Sequence, residues 1–169
     1  MVIKRDRYLN KLIAKKENGL IKVITGIRRC GKSFLLFGLY HAYLKEAGVP
    51  DECIIELALD EVVNAKYRNP FELDAYIRTL TVDQNRQYYV FLDEIQKVSE
   101  IQNPYVVNAD AKVGFVDVLL GLMKQKNIDL YVTGSNSRML SSDILTEFKD
   151  RGDEIRVNPL TYSEFYAAY

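Results

Sequence analysis

Hydrophobic positions along the chain switch repeatedly between a helical and a strand period. Tyr8, Leu9, Leu12 and Ile13 recur at helical spacing and Asn18-Gly19 supplies a stop, which predicts a short helix over residues 4–17. IKVIT at 21–25 is short, β-branched and bounded by glycines, the pattern of a buried strand. An apolar helical pattern follows from Lys32 to about Ala47 and ends at Gly48-Val49-Pro50. CIIELAL at 53–59 predicts a second strand, Pro70 opens a second long helix with acidic Glu72 and Asp74 in its first turn, and YYVFL at 88–92 predicts a third strand covered on both faces. Residues 113–125 predict a buried helix, IDLYVT at 128–133 a fourth strand and residues 154–157 a fifth. Thr161-Tyr-Ser-Glu164 has the form of a capping box and starts a final helix that runs to Tyr169 without a stop, so the chain is expected to be the front portion of a longer protein. Strands alternating with helices predict an α/β fold on a mostly parallel sheet, with functional loops at the carboxyl ends of the strands.

Composition narrows the chemistry. The 169 residues are 48% hydrophobic and 27% charged, with 23 basic and 23 acidic side chains, so neither disorder nor a globally cationic nucleic-acid coat is expected. No apolar run approaches the ~20 residues of a membrane span, and the start MVIKRDRYLN lacks the apolar core of a signal peptide, so the expectation is a cytosolic protein without a membrane partner. Cys30, Cys53 and His41 are the only thiols and the only imidazole, too few and too scattered for a zinc site. His41 sits in an apolar stretch and reads as a side chain on a packed helix. Chemistry is left to carboxylates, Lys, Arg, backbone amides and a borrowed metal.

GIRRCGKS at 26–33 follows the first strand and opens a helix, which is the context that gives meaning to G-x-x-x-x-G-K-[ST], the Walker A phosphate-binding loop. Gly26, Ile27, Arg28, Arg29, Cys30, Gly31, Lys32, Ser33 and Phe34 are the expected nucleotide-contacting positions. Glycines let the backbone turn so that N–H groups converge on phosphate, and the helix adds its positive end. Lys32 is expected to reach the β- and γ-phosphates and Ser33 to ligate Mg²⁺. Arg28 and Arg29 either touch phosphate or are solvated, and Cys30 is either a packed side chain or a thiol activated by the surrounding dipoles.

At the end of the third strand Asp93-Glu94 supplies the Walker B acids: Asp93 for Mg²⁺, Glu94 as the base for an attacking water. A kinase has no use for such a base, and neither D-x-x-G nor N-K-x-D is present, so ATP hydrolysis is favoured over phosphotransfer, with a nucleotide-gated binding module as another alternative. The fourth strand ends in Thr133-Gly-Ser-Asn136, where Asn136, or failing it Ser135, is expected to bond the attacking water or the γ-phosphate. Arg151 reads either as an arginine finger for a neighbouring copy in a homo-oligomer or as a salt-bridge residue. Asp60 is either a switch or a loop cap, residues 102–113 form a long loop, and the basic start Lys4-Arg-Asp-Arg7 either meets DNA or the adenine side of the nucleotide, or is a solvated helix end.

GIRRCGKS, YYVFLDEIQ, YVTGSNS and NPLTYSEF together resemble the predicted bacterial and archaeal AAA+ ATPases, over essentially the whole chain from Ile3. The resemblance implies a three-layer P-loop NTPase with a five-stranded 5-1-4-3-2 sheet. The resemblance further implies that this order brings Lys32, Asp93 and Asn136 to one site, and that a C-terminal domain would follow the module. The loop lacks the extra glycine of G-x-x-G-x-G-K-[ST], and no small helical lid fits in this length, so weak nucleotide binding and slow hydrolysis are expected of this segment alone. The DNA or protein partner is left open.

Overall fold

A computed structural model of the chain describes residues 3–108, 110–135, 145–147 and 150–166. Helix α1 (Asp6–Ala14) leads into strand β1 (Ile21–Thr25). After the glycine-rich loop comes one uninterrupted helix: α2 (Lys32–Phe34) passes through a π-helical stretch, Leu35–Tyr40, into α3 (His41–Glu46). Strand β2 (Ile54–Ala58), a 3-10 segment (Val62–Arg68), helix α4 (Pro70–Leu80) and strand β3 (Tyr88–Asp93) follow. Then come a small antiparallel ribbon of β4 (Ile101–Gln102) and β5 (Lys112–Val113), helix α5 (Phe115–Met123) and strand β6 (Ile128–Thr133). Helix α6 (Leu145–Glu147), strand β7 (Gly152–Arg156) and helix α7 (Tyr162–Tyr166) complete the described elements.

The sheet runs β2-β3-β6-β1-β7 with every neighbouring pair parallel. Counting the sheet strands alone, this is the expected 5-1-4-3-2. The three central strands are buried at every position, as continuous apolar runs require. Alternation sends Val90, Leu92, Leu130 and Val132 to a core under α4 and α5, and Phe91, Tyr131 and Ile24 to a second core under α1 and the α2–α3 helix. Each such buried side chain contributes about 1.5–3 kcal/mol relative to exposure. By the same alternation Asp93 and Thr133 face the α2–α3 layer, where the glycine-rich loop lies.

Local signals behave as their chemistry dictates. Asn69 caps α4, its Oδ1 accepting from the N–H groups of Phe71 (3.0 Å) and Glu72 (3.4 Å) ahead of Pro70 in the first turn. The Thr161–Glu164 capping box forms as expected. At the amino end of the sheet Lys22, fully buried, pairs with Asp129, which also accepts from Glu17 N–H (2.8 Å) and the Tyr131 hydroxyl (2.6 Å).

Some expected boundaries are corrected. Helix α1 is shorter than 4–17 because Lys15 leaves helical geometry. Strand β7 begins at Gly152, two residues early, because its register with Ile21–Thr25 sets its length. The ends of the long loop predicted over 102–113 are pinned together, Ile101 pairing with Val113 and Gln102 with Lys112. His41, read as a side chain on a packed helix, does stand at the start of α3, half-buried, with Nδ1 2.6 Å from Glu56 Oε1.

Candidate functional site

The loop between β1 and α2 is shaped by two left-handed glycines. Gly26 has φ 150°, and a Cβ there would meet the Val157 carbonyl oxygen at 2.3 Å and Cys30 Sγ at 2.8 Å. Gly31 has φ 90° and begins the helix. Ile27, Arg28 and Arg29 turn outward and are exposed, as is Phe34, whereas Cys30 and Lys32 are buried. Cys30 packs on Gly26 at 6% exposure, which favours the packed reading over an oxidant-accessible thiol. Lys32 Nζ donates to the loop's own carbonyls, Gly26 at 3.0 Å and Ile27 at 2.8 Å. From outside, Arg5 braces the loop: it is 2% exposed and donates to the carbonyls of Cys30 (2.7 Å) and Asn158 (2.7 Å) while pairing with Glu164 (3.3 Å). Beside it a cavity of about 540 Å³ is lined by Arg5, Arg29, Cys30, Phe34, Pro159 and Leu160.

The acids come to this loop from β3. Ser33 Oγ donates to Asp93 Oδ2 at 2.8 Å, and Thr133 Oγ1 donates to Asp93 Oδ1. Burial pushes the Asp93 carboxyl above the usual aspartate range, and the Thr133 and Ser33 hydroxyls oppose that shift. The Thr133 oxygen in turn accepts the Glu94 N–H at 3.1 Å. Glu94 has φ 55°, a left-handed conformation uncommon for a side chain with a Cβ, and it ends the strand. Its Oε2 accepts from Ser135 N–H (3.3 Å), Ser135 Oγ (2.9 Å) and the Gln96 side-chain amide.

A hydroxyl and a carboxylate at 2.8 Å are two hard oxygen donors within one coordination shell. Among the described residues no group of three His, Cys, Asp or Glu side chains is placed to hold a metal. The Ser33–Asp93 pair therefore suits an ion that brings most of its ligands as water and phosphate, which is how Mg²⁺ is bound.

Lys32, Ser33, Asp93, Glu94 and Ser135 are thus brought together, and Asn136 lies outside the described residues. Arg151 is not part of this cluster. It is exposed, and its carbonyl accepts from Ile21 N–H (3.0 Å), which puts it at the amino end of β1, a strand length from the loop. Asp60 is exposed, its carbonyl accepting from Arg68. Sequence reasoning missed Thr133 and Gln96. The first is readable in principle, because Leu92 pairs with Val132 and the next position sets Thr133 beside Asp93. The second carries no periodic signal.

Residues 18–166 match a family model described as the AAA domain. An uncharacterized protein of Haemophilus influenzae is 34% identical over 167 residues, covering 99% of this chain and 38% of that protein. An uncharacterized protein of Methanocaldococcus jannaschii is 29% identical over 168 residues, covering 97% and 31%. The chain thus spans less than two fifths of the length of these curated relatives. A Walker-type ATPase of Pyrococcus abyssi superposes with a TM-score of 0.59 at 18% identity, covering 96% of this chain and 55% of that one, a likeness of fold. No helix among the described residues is long and apolar enough to cross a membrane. With its parallel sheet, its glycine-rich loop on β1 and its acids on β3, the chain belongs to the AAA domain family of P-loop ATPases.

Proposed function

We propose that this domain binds ATP with Mg²⁺ and hydrolyses the β–γ phosphoanhydride, in the cytosol, to drive a change in a DNA or protein partner. The observation that carries the reading is the 2.8 Å contact between Ser33 on the loop helix and Asp93 on β3. It links the first turn of α2, which follows β1, to the carboxyl end of β3 across the intervening β6, which supports reading the two as a phosphate cradle beside a cation ligand.

In this reading the amides of residues 26–34 and Lys32 hold the phosphates, and Lys32 exchanges its bonds to the Gly26 and Ile27 carbonyls for phosphate oxygens. The neighbouring cavity takes the base and ribose, with Arg29 and Phe34 at its wall. Ser33 and Asp93 would hold Mg²⁺, which would supply charge neutralisation to the phosphates. Glu94 accepts a proton from water as the water oxygen bonds to the γ-phosphorus. The bond from that phosphorus to the bridging oxygen breaks, and ADP and phosphate leave. Asn136, or failing it Ser135, bonds the attacking water or the γ-phosphate. Arg151 is on the order of 15 Å from its own loop by strand length, so it reaches a γ-phosphate only in a neighbouring copy of a homo-oligomer.

The test is made on the full-length protein. Lys32→Ala is expected to abolish binding of a fluorescent ATP analogue. Glu94→Gln should retain that binding and slow turnover by about 10²–10⁴. Equal turnover in the wild type and Glu94→Gln overturns the assignment, and stimulation of the wild type by DNA or by a protein fraction identifies the partner class.

A further inference from the structure

Among the described residues, Glu94 is held by one carboxylate oxygen, Oε2. Three donors converge on Oε2, namely the Ser135 amide, the Ser135 hydroxyl and the Gln96 amide, and the same Gln96 nitrogen also donates to Ser135 Oγ at 3.1 Å. The backbone explains how Gln96 gets there. Left-handed Glu94 ends β3, Lys97 N–H closes on the Glu94 carbonyl at 2.9 Å, and the resulting 3-10 turn folds residue 96 back beside the carboxylate.

The orientation of the Gln96 amide is fixed by electrostatics. A carboxylate repels an amide oxygen and attracts its N–H, so the nitrogen must face Glu94. The amide oxygen is then buried and has no hydrogen-bond partner among the described residues. An amide that served packing alone would satisfy both of its ends, because an orphaned buried acceptor costs free energy. Here the nitrogen stays on Glu94 and Ser135 while the oxygen goes without.

We infer that Gln96 is a positioning residue for hydrolysis: together with Ser135 it anchors Oε2 of Glu94 and leaves Oε1 of that carboxylate to accept the proton of the attacking water. The inference rests on the reading of Glu94 as the base. Anchoring one oxygen fixes the rotamer of a side chain with three rotatable bonds, so that the second oxygen stands ready at the water rather than sampling solvent.

The experiment uses the full-length protein and four forms: wild type, Gln96→Leu, Glu94→Gln and the double variant, with Gln96→Met added because it keeps the length of the side chain while removing the donor and adds no charge. The readouts are kcat, KM for ATP, and affinity for a fluorescent ATP analogue. Gln96→Leu is expected to lower kcat by about 10–100-fold, with KM and nucleotide affinity within about twofold of the wild type. Gln96→Met should do the same, and it decides the matter where the leucine variant does not fold. In the Glu94→Gln background, adding Gln96→Leu should change the residual rate by less than about twofold, since a residue that acts through Glu94 has nothing left to position. A Gln96 loss of equal size in both backgrounds overturns the inference, as does an unchanged or raised kcat, or a loss confined to KM. If Glu94→Gln itself leaves turnover intact, the base assignment fails and this inference with it, whereas a large Glu94→Gln effect beside a silent Gln96→Leu sinks the positioning role alone.

Discussion

Thr133→Val is the substitution that isolates the joint between the two acids. The side chain is fully buried, and its single hydroxyl donates to Asp93 Oδ1 while accepting the Glu94 N–H at 3.1 Å. Valine has nearly the same shape, so no cavity opens and the loss is purely polar. A hydrogen bond to a charged group is worth about 1.5–3 kcal/mol, and a buried N–H left without an acceptor costs about 1–3 kcal/mol. Relief of the hydroxyl's own desolvation returns about 1–3 kcal/mol. The net expectation is a loss of about 2–3 kcal/mol, or a Tm lower by roughly 4–12 °C for a domain of this size. Function should fall separately from stability. Asp93 keeps Ser33 but loses the donor that fixes its other oxygen, and loss of such a supporting contact typically costs about 10–100-fold in metal affinity. Urea unfolding in EDTA measures the first effect, and the Mg²⁺ concentration for half-maximal ATP turnover measures the second. A stability change below about 0.5 kcal/mol together with an unchanged Mg²⁺ requirement would refute the reasoning, because Asp93 would then be held by Ser33 alone.

Three further outcomes follow from other parts of the molecule. Asp129→Asn leaves fully buried Lys22 without its counter-ion, with the Asn18 side chain still accepting from it at 3.1 Å, and should cost about 3–5 kcal/mol at neutral pH by urea unfolding. Burial already pushes the Lys22 ammonium below its ordinary value of 10.5, with Asp129 opposing. Between the folded and unfolded pKa values the unfolded chain binds more protons, so stability rises with pH there, and the Asp129→Asn deficit should shrink on approaching pH 10, a trend a flat deficit contradicts. Gly26→Ala drives a Cβ to 2.3 Å from the Val157 carbonyl, so the loop must move; nucleotide binding should be lost and Tm lowered by roughly 2–12 °C for about 1–3 kcal/mol of strain, and retained binding would show that the loop adapts. Arg5→Ala removes the brace between the loop and the Glu164 helix. It should cost about 2–3 kcal/mol and weaken ATP affinity, which a fluorescent-nucleotide titration checks, and an unchanged affinity would reduce Arg5 to a fold contact.

What could be read in advance divides along a physical line. Buried parallel strands leave continuous apolar runs, so IKVIT, YYVFL and IDLYVT announced the sheet, and the residues at their carboxyl ends, Lys32, Ser33, Asp93 and Glu94, were legible with them. Features made by convergence were not. Arg5 reads as one charge of a basic start that either meets DNA or the nucleotide or is a solvated helix end, and its burial exists only because the loop at Cys30, the exit of β7 at Asn158 and the helix at Glu164 arrive around it. The two-residue strands β4 and β5 are too short for any period to show. Gln96 looks like a surface residue until the left-handed turn at Glu94 swings it back onto the acid. Lys22 and Asp129 lie between these cases. Each is a charge inside a run that otherwise reads as buried, and alone each argues against its own strand. Once β1 is set beside β6, with Lys22 against Tyr131, the two objections cancel, because a buried cation is tolerated only next to its anion. A charge that breaks an apolar strand is thus evidence about which strand lies next to it: opposite charges near the amino ends of two such runs argue for their adjacency. That adjacency is what sets Thr133 between the loop of β1 and the acids of β3 at the other end of the same strand.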